Sequence, residues 1–244
     1  MLQSTRGVVL DHTRYGESSA IVRIYTRHLG MQSYMVNGAF GRKKKSNFQL
    51  LQPLNLLELE VYHKADKDIN RIKEFRVIHP MTRFPFIQSR RAQTFLITEI
   101  LSRALRSEGV NKPLFDFLEE SILWFDSDLP GMENFHIWLL FNMTRYLGFW
   151  PQNNYSDAFP WFDVQEGCFV SDEPPHPYYL KKDVSWLFKL LFSFDIQQLS
   201  SVARNISQRR SLLEAMILFY EIHHQGVGKI KSLHILEELF KPSE

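Results

Sequence analysis

The stretch LLQPLNLLELEVYHKADKDINRIKEFRVIHP, residues 50–80, decides how the first third of the chain folds. Apolar and charged residues alternate through LLELEVY, and a period of two is typical of a strand with one buried face. The polar turn DKD separates this strand from INRIKEFRVIHP, which we interpret as the next one. Pro53 fits the edge or bulge of a strand. The stretch therefore predicts two neighbouring strands that end at Pro80.

Three more strands are predicted before this stretch, in TRGVVLDHTRY (5–15), SAIVRIYTRHLG (19–30) and MQSYMVNG (31–38). All three are rich in β-branched and aromatic residues, and short Gly-containing turns separate them. Five short antiparallel strands with such connections predict a small closed barrel. The OB-fold is a five-stranded barrel that binds oligonucleotides. We therefore predict that residues 1–80 form an OB-fold nucleic-acid-binding domain.

After Pro80 the hydrophobic period changes to the 3.6 residues of an α-helix. The stretch QSRRAQTFLITEILSRALRSEG (88–109) predicts a long helix with Phe95, Ile97, Ile100, Leu101 and Leu105 facing inward. The fold class is therefore α+β, with an N-terminal five-stranded OB-fold barrel followed by a mostly α-helical domain over residues 81–244. Further helices are predicted in residues 111–126, 132–148, 183–192, 207–226 and 231–240.

Residues 149–179 interrupt the helical pattern with five prolines and many aromatic residues. Large rings such as Trp150, Phe162 and Phe169 need burial, so an ordered loop or small hairpin is expected rather than a linker. Cys168 is the single cysteine of the chain. It excludes an internal disulfide and any zinc site built from four cysteines, and it fits a reducing compartment. We predict no metal ion and no cofactor.

The basic residues are concentrated in the first part of the chain. Residues 1–80 contain 13 Lys and Arg against 7 Asp and Glu, which leaves 16 basic and 20 acidic residues for the remainder. The run GRKKKS places Arg42, Lys43, Lys44 and Lys45 in one loop between two predicted strands. A solvated turn is the simpler interpretation. Four adjacent cations repel one another, however, and a phosphate backbone would relieve that repulsion.

Basic and aromatic residues also alternate around this loop, and single-stranded nucleic acid is bound by that combination because cations follow phosphates and rings stack on bases. Tyr25 and Tyr34 are about equally compatible with the barrel core. The predicted DNA-binding residues are Arg14, Tyr15, Arg23, Tyr25, Arg27, Tyr34, Phe40, Arg42, Lys43, Lys44, Lys45, Arg71 and Lys73.

Catalytic motifs are absent from the sequence. It contains no GxxxxGK[ST], GxGxxG, HExxH or GxSxG pattern. We therefore predict that the protein is not an enzyme. Two alternatives remain: a nuclease-like DNA-processing enzyme, which a metal-supplemented cleavage assay would detect, and a protein-interaction scaffold, which would bind little DNA at low salt. No segment has the features of a signal peptide or a membrane span, so a soluble cytoplasmic protein without membrane contact is expected.

The order of these elements resembles the RecO family of bacterial DNA repair proteins. The resemblance is carried by TRGVVL from Thr5, RYGESS from Arg14, NGAFGRKKKS from Asn37, LQPLNLLELE from Leu51 and RIKEFRVI from Arg71. It continues through YLGFWP (146–151), SQRRSLLEAMILFYEIHH (207–224) and the closing IKSLHILEEL. Many members carry a four-cysteine zinc site after the element that corresponds to YLGFWP. Here the aromatic and Pro-rich segment at about 149–179 is expected to take its place.

The resemblance implies a recombination mediator that binds single- and double-stranded DNA and anneals complementary strands. It implies action with RecR, and contact with the acidic C-terminal tail of single-stranded-DNA-binding protein during loading of the RecA recombinase onto coated strands. A receptor for such a tail needs an apolar pocket bordered by cations. The candidate cations in the otherwise acidic helical part are the pairs Arg90 and Arg91, Arg103 and Arg106, and Arg209 and Arg210.

Overall fold

The structure is a computed structural model, which describes residues 1–40 and 47–232. The basic run Arg42, Lys43, Lys44 and Lys45 lies outside the described residues, and so does most of the helix predicted over residues 231–240. The chain divides into two compact units, Met1–Asp126 and Ser127–Glu244.

The first unit begins with a closed barrel of five strands, which confirms the predicted OB-type architecture. The strand order is β1-β2-β3-β5-β4. Val22, Ile24, Tyr34, Leu57 and Leu59 are fully buried in its core. A short 3₁₀ helix, Asn47–Leu51, precedes the fourth strand. The strands are β1 (Leu2–Tyr15), β2 (Ser19–Thr26), β3 (Gly30–Val36), β4 (Leu56–Tyr62) and β5 (Ile69–Val77).

One strand pair of the barrel differs from the prediction. β1 pairs antiparallel with β2 and with β4, but β3 and β5 pair in parallel, with Ser33 opposite Ile69 and Met35 opposite Arg71. Closing the barrel brings together two strands that run in the same direction, so this pair cannot be antiparallel. The expectation of five antiparallel strands is therefore wrong at the closing pair.

Two helices complete the first unit: α1 (Gln88–Ala104) and α2 (Lys112–Phe125). Asn111 caps α2 by accepting a hydrogen bond from the amide of Leu114 at 3.0 Å. The turn before β3 lies close to the chain between the helices, because a Cβ at Gly30 would lie 3.0 Å from the carbonyl oxygen of Gly109. Gly30 also has a φ of +65°. Both the close approach to Gly109 and the left-handed backbone conformation therefore favour glycine at this position.

The segment that joins the barrel to α1 is held by one buried carboxylate. Asp126, at the end of α2, accepts hydrogen bonds from the amides of Thr82 and Arg83 at 2.8 Å and of Phe84 at 3.0 Å. Burial alone would raise the pKa of Asp126, but these donors outweigh burial and lower it. The strands therefore give way to helices near residue 80, whereas the compact unit extends to Asp126.

The second unit is mostly helical. Helix α3 is buried over most of its length, as its apolar sequence predicts. A three-stranded sheet of order β7-β6-β8 lies between α3 and α4 in the chain. The elements of this unit are 3₁₀ helices at Met132–Asn134 and Ile196–Ser201, α3 (Phe135–Leu147), β6 (Trp161–Asp163), β7 (Cys168–Val170), β8 (Tyr179–Leu180), α4 (Lys182–Leu190) and α5 (Ile206–His223).

One inward-facing residue of α1 was predicted wrongly. Ile97, Ile100, Leu101 and Leu105 are buried as expected, but the Phe95 side chain is 55% exposed. Residues two positions apart are separated by about 200° around a helix axis, so Phe95 points away from the face that carries Ile97. An exposed phenylalanine in the middle of a helix needs an explanation of its own.

Candidate nucleic-acid interface

Three of the predicted DNA-binding residues meet at one end of the barrel. Arg14 and Tyr15 end β1, and both are exposed. The amide of Phe40 donates to the carbonyl oxygen of Ser18 at 3.0 Å, which ties the chain after β3 to the β1–β2 turn. The guanidinium of Arg14 lies 5.2 Å from the centre of the Phe40 ring. The loop with the four basic residues follows Phe40 directly in the sequence.

Two further rings continue from Phe40, and sequence reasoning missed both of them. The ring centre of Phe48 lies 4.7 Å from that of Phe40, and the ring centre of His12 lies 4.6 Å from that of Phe48. A signal for His12 was present, because side chains two positions apart on a strand share a face and His12 precedes Arg14 by two. These three rings and Arg14 form a continuous line, which we call the aromatic line.

Tyr25 and Tyr34 do not belong to this surface, and their prediction as DNA-binding residues is corrected. Both side chains are fully buried. Tyr34 lies in the barrel core, whereas the Tyr25 hydroxyl donates to the carbonyl oxygen of Asn111 at 3.4 Å. Burial raises the pKa of Tyr25 to about 12 and raises the pKa of Tyr34 as well. Neither ring is accessible for stacking on a base.

The side chain of Arg27 also forms contacts within the first unit. Its guanidinium donates to both carboxylate oxygens of Asp116 in α2, at 2.7 and 2.9 Å. This hydrogen bonding lowers the pKa of Asp116. Arg6 binds the same helix through Glu119, at 2.7 Å. Arg27 therefore joins the barrel to α2, and its charge is largely compensated.

The remaining cations of the barrel differ in how far they are compensated. Lys73 forms an ion pair with Glu60 at 2.8 Å across the β4–β5 pair. Arg71 is exposed at the start of β5, and Arg23 is half-buried on β2. Within residues 1–40 and 47–232, neither Arg71 nor Arg23 has an ion-pair partner. Of the basic residues predicted here, Arg14, Arg23 and Arg71 keep a charge available to a ligand.

The two adjacent arginines at the start of α1 have opposite environments. Arg90 is buried, donates to the carbonyl oxygen of Phe125 at 2.8 Å and lies 6.0 Å from the Phe125 ring centre. Its prediction as a partner-binding residue is corrected, because the guanidinium holds α1 to the end of α2. Arg91 is exposed at the border of an apolar groove. Further along α1, Arg103 pairs with Glu99, one helical turn away.

A polar pocket of about 310 Å³ brings together arginines that were predicted for different roles. Arg23 of β2 lines it, and so do Arg103 and Arg106 at the end of α1. Two carboxylates, Asp11 and Glu99, also line this pocket. Arg106 is exposed, and it has no ion-pair partner among the residues that the structure describes. Three guanidinium groups and two carboxylates therefore line the pocket, which leaves it with a net positive charge.

The pair in the second unit divides in the same way as Arg90 and Arg91. Arg209 donates to the Oδ1 of Asn134 at 3.1 Å, and the Asn134 amide donates to the carbonyl oxygens of Leu199 and Ala203. Burial lowers the pKa of Arg209. Arg209 is therefore a structural residue, which corrects its prediction as a partner-binding residue. Arg210 is exposed and pairs with Glu214 at 2.9 Å.

The aromatic and Pro-rich segment is organised by rings and one carboxylate. Phe162 packs on Phe188 and Phe169 with ring centres 4.4 and 4.9 Å apart. Asp163 accepts from the amides of Gln165 and Glu166 at 2.9 and 3.1 Å, which closes the β6–β7 turn. Its other oxygen lies 3.2 Å from His176 Nε2. In the described part of the chain, no three His, Cys, Asp or Glu residues are grouped so that they could hold a metal ion.

None of the helices within the described residues is both long enough and apolar enough to span a membrane. Two family models match the chain: Recombination protein O N terminal over residues 1–81 and Recombination protein O C terminal over residues 92–234. The first match covers the barrel, and the second begins within α1 and includes the described elements of the second unit.

Curated relatives agree with these matches. The DNA repair protein RecO of Phocaeicola vulgatus is 34% identical over 240 residues, which cover 98% of this chain and all of the relative. The protein of the same name from Bacteroides fragilis is 32% identical over 241 residues, and that from Flavobacterium psychrophilum is 32% identical over 238 residues. These alignments cover 97–98% of this chain and 98–100% of the relatives. The chain therefore belongs to the RecO family of DNA repair proteins.

Proposed function

We propose that this protein is a recombination mediator that binds single- and double-stranded DNA and anneals complementary strands. The observation that carries the proposal is the barrel end where the Arg14 guanidinium lies 5.2 Å from the Phe40 ring centre, directly before the basic run in the sequence. Phosphate contacts from such cations supply affinity without reading sequence. Annealing requires that the repulsion between two phosphate backbones be screened. Arg42, Lys43, Lys44 and Lys45 offer four consecutive positive charges in the sequence for this purpose.

The test replaces these four basic residues with alanine. We expect the affinity for DNA of any sequence to fall, because phosphate contacts carry no base information. The slope of log affinity against log salt should shrink by about 0.7 for each single-strand contact that is lost. Strand annealing, followed by quenching between two labelled complementary strands, should fall further than binding does, since two backbones must be screened at once.

A matched control is available in the connection that follows β4. Lys64 and Lys67 are exposed lysines in the β4–β5 connection. Lys64→Ala/Lys67→Ala removes the same charge as Lys44→Ala/Lys45→Ala, also from a connection between barrel strands. The proposal requires that Lys44→Ala/Lys45→Ala weaken DNA binding and that Lys64→Ala/Lys67→Ala leave it unchanged. Equal effects, or an unchanged affinity and salt slope in the quadruple variant, would show that the loop is not part of the DNA site.

We further propose that the protein acts with RecR and contacts the tail of single-stranded-DNA-binding protein, so that it helps load the recombinase onto coated strands. A pocket of about 240 Å³ in the second unit has the composition that an acidic and apolar tail needs. Leu180, Val184 and Leu218 supply its apolar wall, and Lys181 supplies a cation. Glu214, which pairs with Arg210, also lines it.

The tail contact can be measured with a labelled acidic peptide that ends in two apolar residues. Lys181→Glu/Arg210→Glu should weaken its binding, because it reverses the cation that lines the pocket and the arginine that pairs with Glu214 of the pocket wall. Arg204→Glu is the control, as an exposed arginine of the same unit. Unchanged peptide binding in the double variant would place the tail elsewhere. A pull-down with RecR, carried out in parallel, tests the second partner independently.

A further inference from the structure

The first unit contains an apolar groove that is lined by residues of the barrel and of α1. It has a volume of about 690 Å³, within the range of pockets that bind small molecules. Leu50, Pro53, Met81, Phe84, Phe86 and Phe95 supply much of its wall.

Two rings of this groove are exposed to an extent that folding alone does not explain. Phe86 is 76% exposed and Phe95 is 55% exposed. Leu50, on the same groove, is 40% exposed. An isolated exposed apolar side chain is ordinary, but several that share one concave surface mark a binding site.

The groove is continuous with the candidate DNA interface. His12, the last ring of the aromatic line, also lines the groove. The line therefore runs from Arg14 over Phe40 and Phe48 to His12 and into the groove, with adjacent ring centres less than 5 Å apart. A ligand that starts at the cationic barrel end can follow the rings without leaving the surface of the first unit.

Cations also border the far side of the groove. Arg91 lines the groove itself, and Phe95 lines both the groove and the polar pocket that holds Arg23 and Arg106. Over residues 1–40 and 47–232, these three arginines have no ion-pair partner. The apolar groove is thus flanked by Arg14 at one end and by Arg91, Arg23 and Arg106 at the other, with Asp11 opposite Arg23 in the β1–β2 register.

We propose that the groove holds unpaired bases of single-stranded DNA, with the phosphates on Arg14 at one end and on Arg91, Arg23 and Arg106 at the other. Single-stranded DNA carries anionic phosphates and flat apolar bases. This surface offers the matching groups, with arginines for the phosphates and with aromatic and apolar side chains for the bases. A duplex keeps its bases stacked inside and offers none to the groove. The inference rests on the proposed DNA binding, and it adds a preference for single strands.

An acidic peptide with an apolar end is the other ligand that a groove with cations could take. Its few apolar side chains would fill the groove alone. The line Phe40–Phe48–His12 would then have no role, although it connects the groove to the barrel end. Single-stranded DNA accounts for both the groove and the aromatic line, and the acidic peptide is included in the experiment as the competing ligand.

The test compares three labelled DNAs: an oligothymidylate, an abasic strand of equal length and a duplex. The variant is Phe86→Ala/Phe95→Ala, and the matched control is Phe159→Ala, an exposed phenylalanine of the second unit. We expect the affinity for oligothymidylate to fall by at least about fivefold per ring, the lower end of what stacking contributes. The affinity for the abasic strand and the duplex should stay unchanged, and so should the salt slope.

Each other outcome is decisive. Unchanged oligothymidylate binding in the variant overturns the groove proposal while leaving the proposed DNA binding intact. An equal loss for the abasic strand overturns it too, because the rings would then act only by placing phosphates. Loss of the acidic peptide with unchanged strand binding makes the groove a peptide site. If the unaltered protein binds none of the three DNAs at low salt, the proposed function itself fails.

The variant must remain folded for this comparison, and both rings are exposed enough for that to be expected. Thermal unfolding checks it. If the double variant unfolds early, Phe86→Ala alone alters the more exposed ring and gives the same comparison. Arg91→Ala tests the second component of the site, because it should reduce the salt slope by about 0.7 for single strands.

Discussion

Arg27 of the barrel and Asp116 of helix α2 face each other through two hydrogen bonds, at 2.7 and 2.9 Å. A guanidinium that binds a carboxylate with two parallel donors is directionally constrained, so the pair sets how α2 lies on β2. The same pair explains why the charge of Arg27 is largely compensated within the fold.

We expect Arg27→Ala and Asp116→Ala each to lower the thermal unfolding temperature, and the double variant to add little to either. Each single change leaves one charge of the pair without its partner, whereas the double change removes both charges. A double-mutant cycle measured by circular dichroism gives this coupling. In parallel DNA titrations, Arg27→Ala should lose less affinity than Arg14→Ala. Strictly additive unfolding effects would contradict the pairing.

Asp126→Asn should destabilise the first unit by about 1–3 kcal/mol, the cost of leaving buried donors without a full partner. Asparagine has an NH₂ group in place of one carboxylate oxygen, and this group cannot accept a hydrogen bond. The backbone amide of either Thr82 or Phe84 therefore loses its acceptor. Chemical denaturation measures the loss. Asp157→Asn, at an exposed position of the second unit, is the control and should leave the free energy of unfolding unchanged.

The contribution of Asp126 should also depend on pH. Its pKa is lower in the folded protein than in the unfolded chain, so its stabilising effect is present above the unfolded pKa of about 3.9. It is lost as the pH falls through the folded pKa. The difference in unfolding free energy between the unaltered protein and Asp126→Asn should therefore be constant from neutral pH to about pH 5 and narrow below about pH 4. A constant difference throughout would exclude the carboxylate as its source.

Ser185→Ala should destabilise the second unit by about 1–3 kcal/mol, because it leaves a buried backbone amide without an acceptor. The Ser185 hydroxyl accepts from the amide of Phe162 at 2.8 Å and donates to the carbonyl oxygen of Leu180 at 2.9 Å. It thereby ties α4 to β6 and β8. Ser200→Ala, at an exposed position, is the control. Equal unfolding curves for the two variants would contradict this role.

Purified protein should contain no stoichiometric zinc. Cys168 cannot supply the four thiolates of the family's zinc site, and the rings around Phe162 occupy the interior of the segment instead. Elemental analysis after dialysis measures the metal content. One zinc ion per chain that survives dialysis would contradict the prediction and would direct attention to histidine and carboxylate ligands such as His176 and Asp172.

The barrel was predictable because alternation in β4 and β5 reports burial within a strand pair. The burial of Tyr25 could not be predicted, because both faces of β2 are covered. Ile24 faces the barrel core, and Tyr25 lies beside Phe115 of α2. A helix more than eighty residues away supplies that second cover, and no pattern local to β2 records it. Sequence alone therefore could not separate a core tyrosine from a stacking one.

Sequence alone also could not decide which of two adjacent arginines is buried. Arg90 and Arg91 are adjacent and chemically identical, yet a helix turns by about 100° between them. One reaches Phe125 and is buried, and the other borders the groove. The charge cluster could be predicted from sequence, but which of its members faces a ligand depends on where α2 ends.

The closing pairs of the barrel also bear on how the chain acquires its structure during synthesis. Leu2–Val8 of β1 pairs with Leu56–Tyr62 of β4, across about fifty intervening residues, and β3 acquires its second neighbour only when β5 is present. Loop-closure entropy makes such pairings slower than the local β1–β2 and β2–β3 hairpins. A nascent chain that ends before residue 69 therefore lacks β5 and has an open edge on β3. Such an unpaired edge exposes the ribosome-bound chain to aggregation until β5 is made.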